Sequence, residues 1–238
     1  MADERRAGTN SGCRHAGALA ASLIVALCAC WPAGADPSVC QRTLIDPAEP
    51  VEQAWVRHDF TGHSAFHNTR LDGVPVIEAT PAGASALYAK VNADLRDFAI
   101  VHWRWRLDQL QPSADLRRSE SEDFSGVVFF GFGEPSLLAP DVPTLAYAWT
   151  ATPGEIGTLI RNPRHPDSLV IVKLEGDDAV GTWREETRDL VADYRAAFGH
   201  APKQRLRYVA LISDDDQTGE PARTFYAAIT LSDCSPTH

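Results

Sequence analysis

Hydrophobic and polar residues alternate along most of this chain, and the pattern predicts a series of short β-strands. Turn residues separate the strands, as at Asp72-Gly73 and Asn162-Pro163, where positive φ angles or proline-fixed corners are available. The predicted strands are Gln53–Phe60, Val74–Ala79, Ser85–Lys90, Phe98–Leu107, Gly126–Phe132, Thr144–Thr150, Ser168–Glu175, Val180–Glu185, Leu206–Ser213 and Arg223–Leu231.

One segment has a helical period instead. Apolar residues recur at helix spacing from Leu190 to Phe198, Asp189 is placed to cap the first turn, and Gly199 and Pro202 stop the helix. Strands and helices do not alternate as they would in βαβ units. The pattern therefore predicts an all-β fold, an antiparallel two-sheet β-sandwich or jelly roll with one short helix.

The N-terminal segment has the pattern of a secretory signal peptide. Three arginines precede an uncharged apolar run from Leu19 to Leu27, and Ala33-Gly34-Ala35 forms a small-residue cleavage site. We expect a signal peptide over residues 1–35 and a single β-sandwich domain over residues 36–238, located in the periplasm or secreted. The apolar run is short for a bilayer span, so no membrane insertion is expected after cleavage. A lipoprotein anchored at Cys30 is the alternative.

Cysteine positions agree with export. The chain has five cysteines, and cleavage after Ala35 leaves only Cys40 and Cys234. A single cysteine pair in an exported domain predicts a disulfide between the two ends of the mature chain.

The net charge of the chain limits which classes of binding partner are expected. The chain has 22 basic and 32 acidic residues, a formal net charge of −10. Such a balance argues against nucleic acid, whose phosphates require Lys and Arg, and against anionic lipid surfaces. A polar small molecule or a glycan is the expected partner.

Residues 102–107 alternate strictly, so His102, Arg104 and Arg106 face one way while Trp103 and Trp105 face the other. One interpretation is an arginine-lined concave sheet face that binds a polar ligand. The other is a pair of core tryptophans backed by arginines that pair with carboxylates of a neighbouring strand.

Four further residues are ligand-binding candidates. Glu122 and Asp123 precede an apolar strand and suit hydrogen bonding, acid–base chemistry or simple ion pairing with the arginines. Tyr147 and Trp149 share one strand face, where exposed rings would stack on a sugar and buried rings would fill the core. The core is the commoner place for such residues.

The segment from Asp214 to Gly219 resembles the start of a calcium loop. Asp214, Asp216 and Thr218 occupy positions 1, 3 and 5, and Gly219 occupies position 6. Phe225 stands where an EF-hand requires glutamate, which excludes a complete EF-hand. The segment either binds a structural calcium ion or forms a simple surface turn, and no other cofactor is expected.

As a set, these motifs resemble a known bacterial family. Trp103-Arg104-Trp105, Glu122-Asp123-Phe124, Leu145-Ala146-Tyr147-Ala148-Trp149, Asp193-Tyr194 and Ser213–Gly219 follow in the order found in the family catalogued as domain of unknown function 3047. The resemblance covers roughly Trp55 to Leu231. It implies an exported all-β domain of galactose-binding-like or jelly-roll type, and it implies no established activity.

The favoured function is binding of a carbohydrate or other polar envelope ligand. The site would combine stacking on aromatic rings with hydrogen bonds from arginines and carboxylates. One alternative is a polysaccharide hydrolase or lyase that uses Glu122 or Asp123 as acid or base. Another is a structural envelope protein in which the same charges only pair with one another. Binding is favoured over catalysis, and no catalytic residue is assigned.

Overall fold

The structure is a computed structural model that describes residues 41–95, 99–134 and 142–232. The predicted signal peptide and both predicted disulfide cysteines, Cys40 and Cys234, lie outside the described residues. The strands are β1 (Gln41–Ile45), β2 (Val56–Gly62), β3 (Ala65–Leu71), β4 (Val74–Thr80), β5 (Gly83–Ala93), β6 (Ile100–Gln109), β7 (Gly126–Phe132), β8 (Thr144–Trp149), β9 (Leu159–Arg161), β10 (Leu169–Glu175), β11 (Arg184–Asp189), β12 (Leu206–Asp214) and β13 (Arg223–Ser232). The helices are α1 (Val51–Ala54), α2 (Leu190–Phe198) and a 3₁₀ turn at Asp177–Ala179.

Two sheets pack face to face, which confirms the predicted all-β sandwich. Sheet A has the strand order β11-β6-β13-β4-β3, and β1 adds to β13. Sheet B has the order β2-β5-β12-β7-β8-β10-β9. One pairing departs from the antiparallel expectation, because β8 and β10 run parallel. The short strand β9 lies between them in sequence and pairs antiparallel with β10, so β10 returns in the direction of β8.

The main core lies between the sheets and is rich in aromatic rings. Trp103 and Trp105 of β6 are almost completely buried, as the alternation of that strand predicts. The ring of Trp105 lies 5.5 Å from that of Trp149 on sheet B, in an edge-to-face arrangement, and 6.3 Å from that of Tyr226. Such packing joins the two sheets through their largest side chains.

Sheet B is buried on both faces along its central strands. Val127, Ala146 and Ile171 point away from sheet A, and Leu116 and Phe124 from the connection between β6 and β7 pack over them. This second apolar cluster explains why β7, β8 and β10 are continuous hydrophobic runs rather than alternating ones. The same connection carries acidic residues to the outer face of sheet B.

Helix α2 forms as predicted. The Asp189 carboxylate accepts hydrogen bonds from the backbone N–H groups of Val191 and Ala192, at 2.9 and 3.2 Å. Gly199 ends the helix in the left-handed region, with φ of 78°. Tyr194 anchors the helix in the main core, 4.6 Å from the ring of Phe132. In the described part of the chain, neither helix is long and apolar enough to span a bilayer.

The sequence pattern missed or displaced several strands. Strands β1, β3 and β9 were not predicted, and β11 begins at Arg184 rather than at Val180. The predicted strand from Gln53 is instead a helical turn followed by β2. The β3–β4 hairpin turns at Asp72 and Gly73, both with positive φ (52° and 80°), so its turn signal was present in the sequence.

Candidate functional site

An open cleft of about 370 Å³ lies on the outer face of sheet B. Strand β12 supplies Tyr208, Ile212 and Asp214 to it, since these positions share one strand face. Phe129 of β7 extends the floor, and the rim is formed by Phe60, a β2 residue whose side chain is 46% exposed. We call this site the sheet-B cleft.

The floor depends on one close approach between strands. The Tyr208 ring lies across Gly131 of the neighbouring strand β7, where a Cβ atom would fall less than 3.0 Å from its Cε1 and Cζ atoms. The Tyr208 hydroxyl forms a 2.8 Å hydrogen bond with Thr144 Oγ1 on β8. Because position 131 is a glycine, the Tyr208 ring can lie against strand β7 and form part of the apolar floor.

The connection between β9 and β10 forms a polar wall. Asn162 Oδ1 accepts hydrogen bonds from the backbone N–H groups of Arg164 and His165, both at 2.9 Å. Asn162 Nδ2 donates to Glu122 Oε1. The Arg164 guanidinium donates to the carbonyl oxygen of Ser119 at 2.5 Å, which ties the wall to the β6–β7 connection.

Glu122 is the buried acid of this wall, with 7% of its surface exposed. Its Oε2 atom accepts no hydrogen bond within the described residues and lies 3.5 Å from Arg164 Nε. Burial raises the pKa of Glu122, although Asn162 and Arg164 act in the opposite direction. The carboxylates of Asp216 and Asp123 raise this pKa further.

Three more carboxylates converge beside Glu122. One oxygen from each of Asp123, Asp214 and Asp216 lies within 4.8 Å of the others. Asp214 is buried at the end of β12, where its carboxylate accepts the backbone N–H of Phe124. Burial raises the pKa of Asp214 well above its usual value, and the neighbouring Asp123, Asp216 and Glu122 carboxylates add to the effect.

Asp123 holds the loop that follows β12. Its carboxylate accepts the backbone N–H groups of Gln217 and Thr218 at 3.2 and 2.7 Å, and the Thr218 hydroxyl at 2.5 Å. The sequence predicted Asp214, Asp216 and Thr218 as a ligand set. The structure instead places Asp123 beside the two aspartates, while the Thr218 hydroxyl donates to Asp123.

The six predicted ligand-binding residues do not come together. Of the six, only Glu122 lines the sheet-B cleft, and Asp123 lies next to the cleft residues Asp214 and Asp216. Tyr147 and Trp149 are completely buried between the sheets, where a ligand in either outer face cannot stack on them. Tyr147 donates instead to Asp193 Oδ2 at 2.7 Å.

The two arginines lie on the outer face of sheet A. Arg104 Nε is 3.0 Å from Glu185 Oε1, and its guanidinium stacks over the Trp183 ring at 5.0 Å. Arg106 Nε donates to Asp108 Oδ1 at 2.6 Å. The core separates these arginines from the sheet-B cleft, so one concave face cannot hold all six residues.

Sequence reasoning missed most of the cleft. Phe129 and Tyr208 are in predicted strands, but nothing in the alternation shows that the outer face of sheet B stays partly open. Asn162 and Arg164 come from a connection without periodicity. The Asn-Pro turn at 162–163 was the available signal, and it indicated only a corner.

A family model described as "Protein of unknown function (DUF3047)" matches residues 53–230. The chain belongs to this family. A comparison with curated protein sequences finds no match.

Several solved structures resemble the chain at low sequence identity. A cellulase derived from Cel12A of Rhodothermus marinus has a TM-score of 0.45 at 11% identity, over 81% of this chain and 94% of that one. The Emp47p carbohydrate recognition domain has a TM-score of 0.43 at 14% identity, over 81% and 95%. The K1 adhesin domain of Lys-gingipain from Porphyromonas gingivalis W83 has a TM-score of 0.41 at 12% identity, over 82% and 99%.

Proposed function

We propose that this family member binds a glycan, or another polar ligand with an apolar face, in the sheet-B cleft. The observation that carries the proposal is the combination of an apolar, partly aromatic floor with a wall of hydrogen-bonding groups in one open site. Pyranose rings present both kinds of surface, a C–H face and a set of hydroxyl groups. In sites of this kind, burial of apolar surface against the floor contributes most of the affinity for the ligand, and a few polar groups provide specificity.

The floor and the wall would have separate roles. Phe129 and the exposed rim residue Phe60 offer ring surface to the C–H face of a sugar. Arg164, about half exposed, and His165 both line the cleft and carry N–H donors that could bind sugar hydroxyl groups. The buried Glu122 accepts its hydrogen bond from the Asn162 side chain of the wall rather than from solvent.

We also propose that the protein works outside the cytoplasm, as the N-terminal segment predicts. A glycan ligand would then be an envelope or extracellular polysaccharide. This proposal rests on the signal-peptide pattern of residues 1–35 and on the predicted Cys40–Cys234 pair.

Phe60→Ala tests the binding site. We expect this variant to bind an identified oligosaccharide ~5- to 30-fold more weakly than wild type, because loss of one stacking ring removes on the order of 1–2 kcal/mol. The ligand would be found by screening an immobilised glycan panel, and affinity would be measured by isothermal titration calorimetry.

Val56→Ala is the matched control. Val56 lies on the same edge strand and is 43% exposed, but it does not line the cleft. Its substitution should leave affinity unchanged. Equal losses in both variants, or no binding to any glycan of the panel, would contradict the proposed site.

A further inference from the structure

We infer that Asp123, Asp214 and Asp216 bind a calcium ion at the wall of the sheet-B cleft. Asp123 lies in the connection before β7, Asp214 is the last residue of β12, and Asp216 lies in the connection after β12. A bound ion would link these connections. The inference does not depend on the glycan proposal, because it concerns the protein and the metal only.

The spacing of the carboxylates fits one ion. Calcium binds oxygen atoms at about 2.3–2.6 Å, so two ligands on opposite sides of it are at most about 5 Å apart. The three carboxylate oxygens lie within 4.8 Å of one another. Asp214 and Asp216 line the cleft, and hydrogen bonds from the loop at 217–218 hold Asp123 in place.

Among the described residues, no positively charged side chain pairs with the negative charge of the cluster. Asp214 is buried, with 6% of its surface exposed, and accepts one backbone hydrogen bond. In residues 41–95, 99–134 and 142–232, no basic side chain forms an ion pair with any of the three aspartates. Buried carboxylates are normally paired with a cation or coordinate a metal, because burial without compensation is costly.

Glu122 gives a second, independent indication of a ligand. This residue is 7% exposed and lines the same cleft, and its Oε2 atom is buried with no hydrogen-bond donor among the described groups. Among the described residues, the basic side chain that forms an ion pair with Glu122 is the half-exposed Arg164, whose Nε atom lies 3.5 Å from Oε2. A metal-bound water molecule would supply the missing donor.

The donor chemistry selects the metal. The cluster offers carboxylate oxygens and neither histidine nor cysteine, which suits a hard cation rather than zinc or copper. Calcium accepts six to eight oxygens in irregular geometry, whereas magnesium requires a near-ideal octahedron. Three aspartates from two separate segments of the chain suit the more tolerant ion, and water would complete its coordination shell.

The test uses Asp216→Asn, because Asp216 is exposed and its substitution should not disturb folding. The purified protein would be freed of metal with EGTA and titrated with calcium chloride by calorimetry and by thermal melting. We expect wild type to bind one calcium ion and to melt at a higher temperature as calcium increases. Asp216→Asn should bind at least ~10-fold more weakly, since it removes one charged ligand.

Asp178→Asn is the matched control, as it removes an exposed aspartate far along the chain from the cluster. This control should bind calcium as wild type does. Absence of heat and of a melting shift at about 10 mM calcium, above the range of weak extracellular sites, would overturn the inference. Undiminished affinity in Asp216→Asn would overturn the ligand set, and tighter binding of magnesium chloride would overturn the choice of metal.

Discussion

Two buried tryptophans of the core donate their indole N–H groups to hydrogen-bond acceptors. Trp149 Nε1 donates to the carbonyl oxygen of Gly176 at 2.7 Å. Trp105 Nε1 donates to Glu186 Oε1 at 3.1 Å. Each indole thereby reaches a partner at the edge of the core, as buried tryptophans normally do. The consequence at Trp105 is that a carboxylate, Glu186, is drawn into a partly buried position.

Glu186→Gln is expected to change how stability depends on pH. Burial, followed by the negative charge of Glu175, raises the pKa of Glu186 to about 7, while Trp105 and Arg184 act against this. An acid whose pKa is raised in the folded state makes its full contribution to stability at pH values below its pKa in the unfolded state, near 4.5. This contribution is lost as the pH rises through the folded-state pKa of about 7. Wild type should therefore lose stability between pH 5 and pH 8, by on the order of 1 kcal/mol after solvent screening.

Urea denaturation at pH 5, 6, 7 and 8 would measure this loss. The free energy of unfolding of Glu186→Gln should fall less over that range, because glutamine does not titrate. Glu185→Gln, on the exposed face of the same strand, should keep the wild-type slope. Identical slopes in wild type and Glu186→Gln would contradict the assignment.

At the scale of the elements, strands β7 and β12 approach each other closely at Gly131. Gly131→Ala should destabilise the protein by about 1–3 kcal/mol, because the new methyl group would collide with the Tyr208 ring. Moving this ring would also disturb the cleft floor and weaken glycan binding. Chemical denaturation would measure the first effect and calorimetry the second.

Gly176→Ala provides the comparison. Neither glycine has a positive φ, and a methyl group at position 176 would meet its nearest atom at 3.5 Å, an ordinary contact. Gly176→Ala should therefore be close to wild type in stability. If the two alanine variants behave alike, the steric argument for Gly131 is wrong.

Position within a sheet explains which elements the sequence could predict. The central strands β6, β7, β8, β12 and β13 were predicted within two residues, because their core-facing side chains give a strong pattern. Strands β3, β9 and β11 lie at sheet edges and β1 pairs with β13 only, so they bury few side chains. With little to bury, these strands have no clear alternation to detect.

At the scale of the whole molecule, the described chain ends meet. Gln41 of β1 pairs with Ser232 of β13. We expect a disulfide between Cys40 and Cys234, which lie one and two residues beyond this pair in sequence. The entropy of so large a loop would stabilise the fold by up to about 5 kcal/mol.

Mass spectrometry of the protein expressed with residues 1–35 would test both the disulfide and the proposed signal peptide. The mature chain should begin at Asp36, and neither cysteine should react with an alkylating reagent before reduction. Cys40→Ser, Cys234→Ser and the double variant should be destabilised equally, since each breaks the same bond. Reactive thiols without reduction, or additive losses in the double variant, would contradict the disulfide.

The amino-acid pattern by itself determined the all-β class, helix α2 with its caps, and the shared strand face of Trp103 and Trp105. These features follow from local periodicity and capping chemistry, which a short segment carries within itself. Only the tertiary structure determined which residues come together at the candidate site. It placed Arg104 and Glu122 on opposite sides of the core and brought Asp123 beside Asp214, although some 90 residues separate them in sequence. Sheet order sets such contacts, and alternation along a strand carries no information about which strand comes next to it.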